Sequence, residues 1–206
     1  MLAAGEGRRF GMPKALATLA GTTLVERVAA TCALSLADAV VVVAGARSAE
    51  VAARVREVAA LSPDVPVTTV EHEGWRAGRT GSLQAGWRSL PEGAHVLVFP
   101  VDHPCVRLVT LDALLGVFGY AAAAPEIVVP VQSVDGSRRR GHPILLSASL
   151  RDEVMALGPD APLHDVVHAH VVLEVPVDDD GILLDVDSVE DLGRAEALLQ
   201  DRSPAY

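Results

Sequence analysis

The stretch DAVVVVAGARSAEVAARVREVAAL, residues 38–61, decides the fold. It begins with a short continuous apolar run of β-branched residues, Val40–Val43, that ends at Gly45. Such a run suits a strand buried on both faces, as in a parallel sheet. From Ser48 onward, SAEVAARVREVAAL reads as a helix. A buried strand followed directly by a helix is the repeating unit of an α/β fold.

The same alternation extends in both directions. Upstream, TTLVERVAATCALSL carries Leu24, Val28, Ala29, Cys32 and Leu36 at helical spacing, with Thr22 or Thr23 as N-cap. Downstream, PVTTVE reads as a short strand, and GWRAGRTGSLQAGWRSL as a Gly-rich loop entering a helix near Gly81 or Ser82. HVLVFPVDHP is a second buried strand that ends in a carboxylate loop, and LVTLDALLGVFGY is a helix. EIVVPVQ and GHPILL read as strands on either side of a polar turn, SVDGSRRRG. SASLRDEVMAL and the region around 163–167 read as helices, HVVLEVPV and ILLDVD as strands, and SVEDLGRAEALLQ as the closing helix. The rhythm predicts an α/β fold with a mostly parallel sheet and right-handed crossovers. One domain is expected over residues 1–200, with a less regular lobe around 120–180 over the sheet edge and a disordered tail at 201–206.

Composition narrows the function. The chain has 206 residues, half of them apolar, enough for a packed core. A net charge of −10 argues against a nucleic-acid or membrane-surface partner, both of which call for basic patches. Cys32 and Cys105 form neither a metal spacing nor a disulfide framework, which fits a reducing cytoplasm. No signal peptide is visible, and the longest apolar run, residues 39–44, is too short to span a bilayer.

The chemistry concentrates in LAAGEGRRFGMPK, residues 2–14. Gly5, Gly7 and Gly11 let backbone N–H groups approach an anion, while Arg9 and Lys14 add positive charge. Arg offers a fork for phosphate oxygens and Lys a mobile point charge, so the loop reads as a polyphosphate cradle. It is neither a P-loop nor the dinucleotide fingerprint, which argues against a pyridine-nucleotide oxidoreductase. Asp102, at the end of HVLVFPV, projects where phosphates would lie in an open α/β sheet. Asp185 and Asp187 share a face if their stretch is extended, and Asp187 either ligates a metal or caps the closing helix. Ser82 reads from its position as a helix N-cap, and Arg138–Arg140 as a solvated turn or an anion site.

LAAGEGRRFGMPKAL resembles the loop LAAGxSxRMGxPKxL of the MobA-like NTP transferases, through Leu2, Ala3, Ala4, Gly5, Arg9, Gly11, Pro13 and Lys14. It departs from that pattern at Gly7 and Phe10. GWRAGRTGSLQAG, FPVDHP, GHPILL and GILLDVDSVEDL are similar to further elements of the family in the same order, with Arg79 standing for a Met. The last two resemble the molybdenum-cofactor cytidylyltransferase branch.

The resemblance implies a three-layer α/β/α Rossmann-like fold of the nucleotide-diphospho-sugar transferase type. It also implies a cytoplasmic, Mg²⁺- or Mn²⁺-dependent nucleotidyltransferase, monomeric or weakly dimeric, that uses CTP and molybdopterin. Arg9, Lys14 and Asp102 would be catalytic. Leu2, Ala3, Ala4, Gly5, Gly7, Arg9, Lys14, Gly78 and Ser82 would hold the nucleotide. Asp102 and Asp185, or else Asp187, would hold the metal, and His142 and Arg140 the acceptor. The alternatives are GTP as donor, a sugar phosphate or phospholactate as acceptor, or a non-catalytic nucleotide-binding accessory protein. The family's first strand begins about half a dozen residues before this loop, a usual strand length. Here it is reduced to Met1–Leu2, which reads as a start assigned too far downstream or a truncated strand held by its neighbours.

Overall fold

A computed structural model describes residues 1–7, 10–120 and 125–202. The strands are β1 (Leu2–Ala3), β2 (Thr18–Leu19), β3 (Thr22–Thr23), β4 (Val40–Ala44), β5 (Val67–Glu71), β6 (Val96–Val98), β7 (Ile127–Val134), β8 (Ser137–Arg140), β9 (Ile144–Leu146) and β10 (Val172–Pro176). The helices are α1 (Leu24–Ala33), α2 (Ser48–Leu61), α3 (Arg79–Arg88), α4 (Leu108–Tyr120), α5 (Arg151–Ala156), α6 (Leu163–Ala169) and α7 (Val189–Asp201).

The valine run forms β4, paired in parallel with β1 on one side and β5 on the other. Parallel pairing and burial on both faces are what a continuous apolar run requires. A bridge between Leu2 and Pro100 joins this half to the other, where β6, β9, β7 and β10 lie in that order. β7 and β10 are parallel, whereas β9 runs antiparallel to both β6 and β7. An apolar cavity of about 580 Å³ is lined in part by Met1, Val40 and Val41 of β4, and Val96, Leu97 and Val98 of β6.

Side chains alternate across the sheet and divide the helices into two layers. Val25 and Val28 of α1, Val51, Val55 and Val58 of α2, and Ala195 of α7 share one core with Val40, Val42 and Ala44. On the other face, Leu83 and Trp87 of α3, Val154 of α5 and Val166 of α6 pack with Ile127, Val129, Ile144 and Leu146. Trp87 is fully buried, its Nε1 donating to the Ala94 carbonyl at 3.2 Å. α1 starts at a capping box in which Thr23 and Glu26 satisfy each other's backbone N–H groups.

Four local expectations change. ILLDVD is not a strand: Asp180–Ile182 form a 3₁₀ turn and Leu183–Asp187 run irregularly. The cause is the buried Asp179 carboxylate, which accepts from Gly181 N at 3.0 Å and folds the chain back on itself. SVDGSRRRG is a β-hairpin rather than a turn alone, with Asp135 and Gly136 at positive φ between β7 and β8. Helix α3 starts at Arg79, so Ser82 lies inside it and caps nothing. Residues 127–176 supply sheet strands and covering helices, not a lobe laid over the sheet edge. Within the proposed tail, α7 continues to Asp201, and residues 203–206 lie outside the described residues.

Candidate active site

A cavity of about 740 Å³ opens at the carboxyl ends of β1 and β6, where ligands bind in open α/β sheets. The loop after β1 forms one wall. Gly7 (φ +64°) turns this loop so tightly that a Cβ would lie 2.1 Å from the Met12 carbonyl oxygen. That turn brings Ala4, Gly5 and Gly7 to the cavity and sets Lys14 at its edge, on the 3₁₀ turn Lys14–Leu16. Arg9 lies outside the described residues.

The second wall is the start of α3. Gly78 precedes it so close to the segment at Pro159 that a Cβ would sit 2.1 Å from the Pro159 carbonyl oxygen. Gly81 N donates to that same carbonyl at 3.0 Å, and Thr80 Oγ1 donates to the Ala161 carbonyl at 2.5 Å. The buried Gln84 side chain donates to both the Val154 and Leu157 carbonyls at 2.9 Å. These bonds fix residues 157–161 as the far wall, continued by Leu163 and His164 of α6. Trp75 lines the cavity and packs on Gly45, where a Cβ would lie 2.5 Å from its ring, with the Arg76 guanidinium 4.3 Å from the ring centroid.

The floor carries the charges. Val186 N donates to the Asp102 carbonyl at 2.7 Å, which draws the 182–187 segment against the end of β6. Ser188 caps α7, and the Asp191 carboxylate accepts from Asp187 N at 2.9 Å and Ser188 Oγ at 2.8 Å. Capping therefore falls to Ser188, and the Asp187 carboxylate faces the cavity. There the Lys14 ammonium bonds Asp187 and lies 3.5 Å from Asp102 Oδ2. The other Asp102 oxygen, Oδ1, is buried and accepts no hydrogen bond among the described residues; His103 Nε2 lies 3.8 Å from it. Asp185 is exposed and does not line the cavity.

His142 lines the same cavity, its N–H donating to the Ile182 carbonyl at 3.0 Å. Its ring lies tilted against that of the buried His103, with centroids 4.7 Å apart. Burial pushes the pKa of both imidazoles down, that of His142 to about 4 with His103 beside it, so neither adds positive charge at neutral pH. Arg140 also lines the cavity, its Nε donating to Glu174 Oε1 at 2.8 Å.

The structure thus brings together Leu2, Ala4, Gly5, Gly7, Lys14, Gly78, Ser82, Asp102, Arg140, His142 and Asp187. Ala3 is buried and does not line the cavity. The wall at 160–164 and the contact of Thr80 escaped the sequence reading. Their one trace in the sequence is the turn composition of GPDAP, residues 158–162.

A loop of glycines, a lysine and converging carboxylates at the carboxyl edge of an α/β sheet defines an enzyme that handles phosphates. The profile of the MobA-like NTP transferase domain matches residues 1–175. The chain belongs to that family and is a nucleotidyltransferase. It is 36% identical over 159 residues to the nicotine blue oxidoreductase of Paenarthrobacter nicotinovorans, covering 75% of this chain and 72% of that one. Among solved structures it resembles Rv0371c of Mycobacterium tuberculosis H37Rv, with a TM-score of 0.73, 28% identity and 95% of each chain covered. A manganese complex of Rv0371c matches at 27% identity and a TM-score of 0.70, with the same coverage. No helix among the described residues is long and apolar enough to cross a membrane.

Proposed function

We propose that the protein transfers the nucleoside monophosphate of CTP to the phosphate of molybdopterin, with loss of pyrophosphate. The observation that carries this reading is the convergence of Lys14, Asp102 and Asp187 beside the Gly loop. Phosphoryl-type transfer calls for positioning and charge neutralisation more than for a covalent nucleophile, and this site supplies both.

The residues fit a hard divalent cation. Asp102 presents a buried oxygen that accepts no hydrogen bond among the described residues, with His103 Nε2 3.8 Å away, and both carboxylates face the Lys14 ammonium. Mg²⁺ usually takes one or two carboxylates, with phosphate oxygens and water completing its shell. Asp102 and Asp187 would hold it, and it would supply charge neutralisation at the phosphates; the cavity geometry favours Asp187 over Asp185. Lys14 stabilises the departing pyrophosphate, and the backbone of Ala4–Gly7 holds the phosphate chain. Thr80, Ser82 and Gly78 stand where the nucleoside enters. Neutral His142 and cationic Arg140 face the acceptor, one as a hydrogen-bonding group and the other as a phosphate partner.

The test is pyrophosphate release with Mg²⁺ and molybdenum cofactor, comparing CTP, GTP, ATP and UTP, with Asp102→Ala as control. CTP-selective release that the substitution abolishes supports the reading. Release with GTP, or only with a sugar phosphate or phospholactate, moves the donor or acceptor assignment. A second reading comes from the 36% identical relative that is named an oxidoreductase. Consumption of a reduced nicotinamide dinucleotide in place of pyrophosphate release would favour it.

A further inference from the structure

Lys14 stands as a cation between two carboxylates. Its ammonium bonds Asp187 Oδ1 and lies 3.5 Å from Asp102 Oδ2. The side chains of Lys14, Asp102 and Asp187 are 21, 25 and 37% exposed, so water screens these contacts only in part. The carboxylates facing the ammonium are the two that the proposed function gives to a divalent cation. An ammonium and a divalent ion repel each other strongly at a few ångströms, so they cannot share that place. Lys14 also ends the Gly loop, and its side chain lines the cavity at a point where a triphosphate would compete for it. The flexible four-carbon stem lets the charge move without moving the backbone.

We propose that Lys14 occupies the cation position between Asp102 and Asp187 until a nucleoside triphosphate draws its ammonium away, so that metal loading waits for the nucleotide. This inference rests on the nucleotidyltransferase reading and concerns the order in which that site assembles. Linkage makes the effect reciprocal: whatever factor the nucleotide adds to metal affinity, the metal adds to nucleotide affinity.

The test uses Mn²⁺ alone as the probe, following the free-ion electron paramagnetic resonance signal during titration of nucleotide-free protein. Wild type, Lys14→Met, Lys14→Gln and Arg79→Met are compared, each checked for native far-UV circular dichroism. Arg79→Met removes a charge that lines the cavity but does not lie between the carboxylates. Both Lys14 variants are expected to bind Mn²⁺ at least tenfold more tightly than wild type, Arg79→Met less than twofold more tightly, and Asp102→Asn combined with Lys14→Met is expected to lose the gain. Equal or weaker binding by the Lys14 variants overturns the proposal, as does an equal gain in Arg79→Met. A parallel titration with Mn²⁺ and CTP, read by tryptophan fluorescence, separates the two levels of argument. Wild type that binds Mn²⁺–CTP while the Lys14 variants gain nothing overturns the loading order and leaves the enzyme reading standing. Folded wild type and Lys14 variants that bind neither Mn²⁺ nor CTP overturn both.

Discussion

Replacing Asp179 by Ala tests how the floor of the site is held. Its carboxylate is fully buried. Oδ2 accepts from Arg107 N at 2.8 Å and Thr110 Oγ1 at 2.7 Å. Oδ1 accepts from Gly181 N at 3.0 Å and Arg202 Nη2 at 2.6 Å. One side chain thus ties the start of α4, the 180–182 turn and the end of α7 together. That turn carries the Ile182 carbonyl, which accepts from His142 N. Removing one partner of a buried pair costs about 3–5 kcal/mol, because the other charge and the orphaned donors remain. For a domain of this size each kcal/mol lowers the Tm by about 2–4 °C, so Asp179→Ala should lose about 6–20 °C. Against a total stability of about 5–15 kcal/mol, the variant would be marginal. The assay is urea unfolding at pH 7 followed by circular dichroism, on wild type, Asp179→Ala, Arg202→Met and the double variant. The double variant should recover part of the loss, since the stranded guanidinium is gone. A loss below about 1 kcal/mol for Asp179→Ala, or a double variant at least as unstable as the sum of the singles, would refute this account of the floor.

Two further outcomes are expected. Gly78→Ala places a methyl group 2.1 Å from the Pro159 carbonyl oxygen, which is backbone and cannot rotate away; the 157–163 wall should shift, with faster proteolysis there and a raised KM for the nucleotide. An unchanged cleavage pattern and KM would show that the wall does not rest on that contact. His170 lies between Glu126 at 3.2 Å and Glu153 at 2.7 Å, and hydrogen bonds to these two carboxylates raise its pKa. A group with a raised folded-state pKa stabilises fully below its unfolded pKa of about 6.5, and the benefit fades as pH rises through the folded value. His170→Gln should therefore lower the Tm at pH 5.5 by a few degrees, matching about 1 kcal/mol from two surface pairs, and leave it unchanged at pH 9. A pH-independent difference would remove the charge from the explanation.

What the sequence revealed follows the range of the forces involved. Val40–Val43 announced a doubly buried strand because burial on both faces leaves no polar position to interrupt the run. Thr23 and Glu26 close their cap within four residues, so that helix start was readable. The Gly-rich loop, Lys14 and Asp102 could be singled out because phosphate chemistry calls for particular residue types, and the structure places them on one cavity. ILLDVD was misread because its apolar residues carry strand signal locally, while the Asp179 turn and the Val186–Asp102 bond act across the fold. Asp187 and Asp185 could not be separated from spacing alone. Their difference depends on Ser188 taking the cap and Asp191 fixing the Asp187 backbone. The 160–164 wall left little trace because its role comes from Gly78, more than eighty residues upstream.

The two tryptophans divide the protein's emission into a reference and a gauge. Trp87 is sealed in the core with its indole N–H committed to a carbonyl, so its signal should stay constant while the fold is intact. Trp75 lines the cavity under a guanidinium, so on the proposed function a nucleotide bound there would change its surroundings directly. Any change seen without denaturant then reports Trp75 alone. The chain thus reports occupancy of its own site without a label, and Trp75→Phe should silence that report while leaving the reference signal in place.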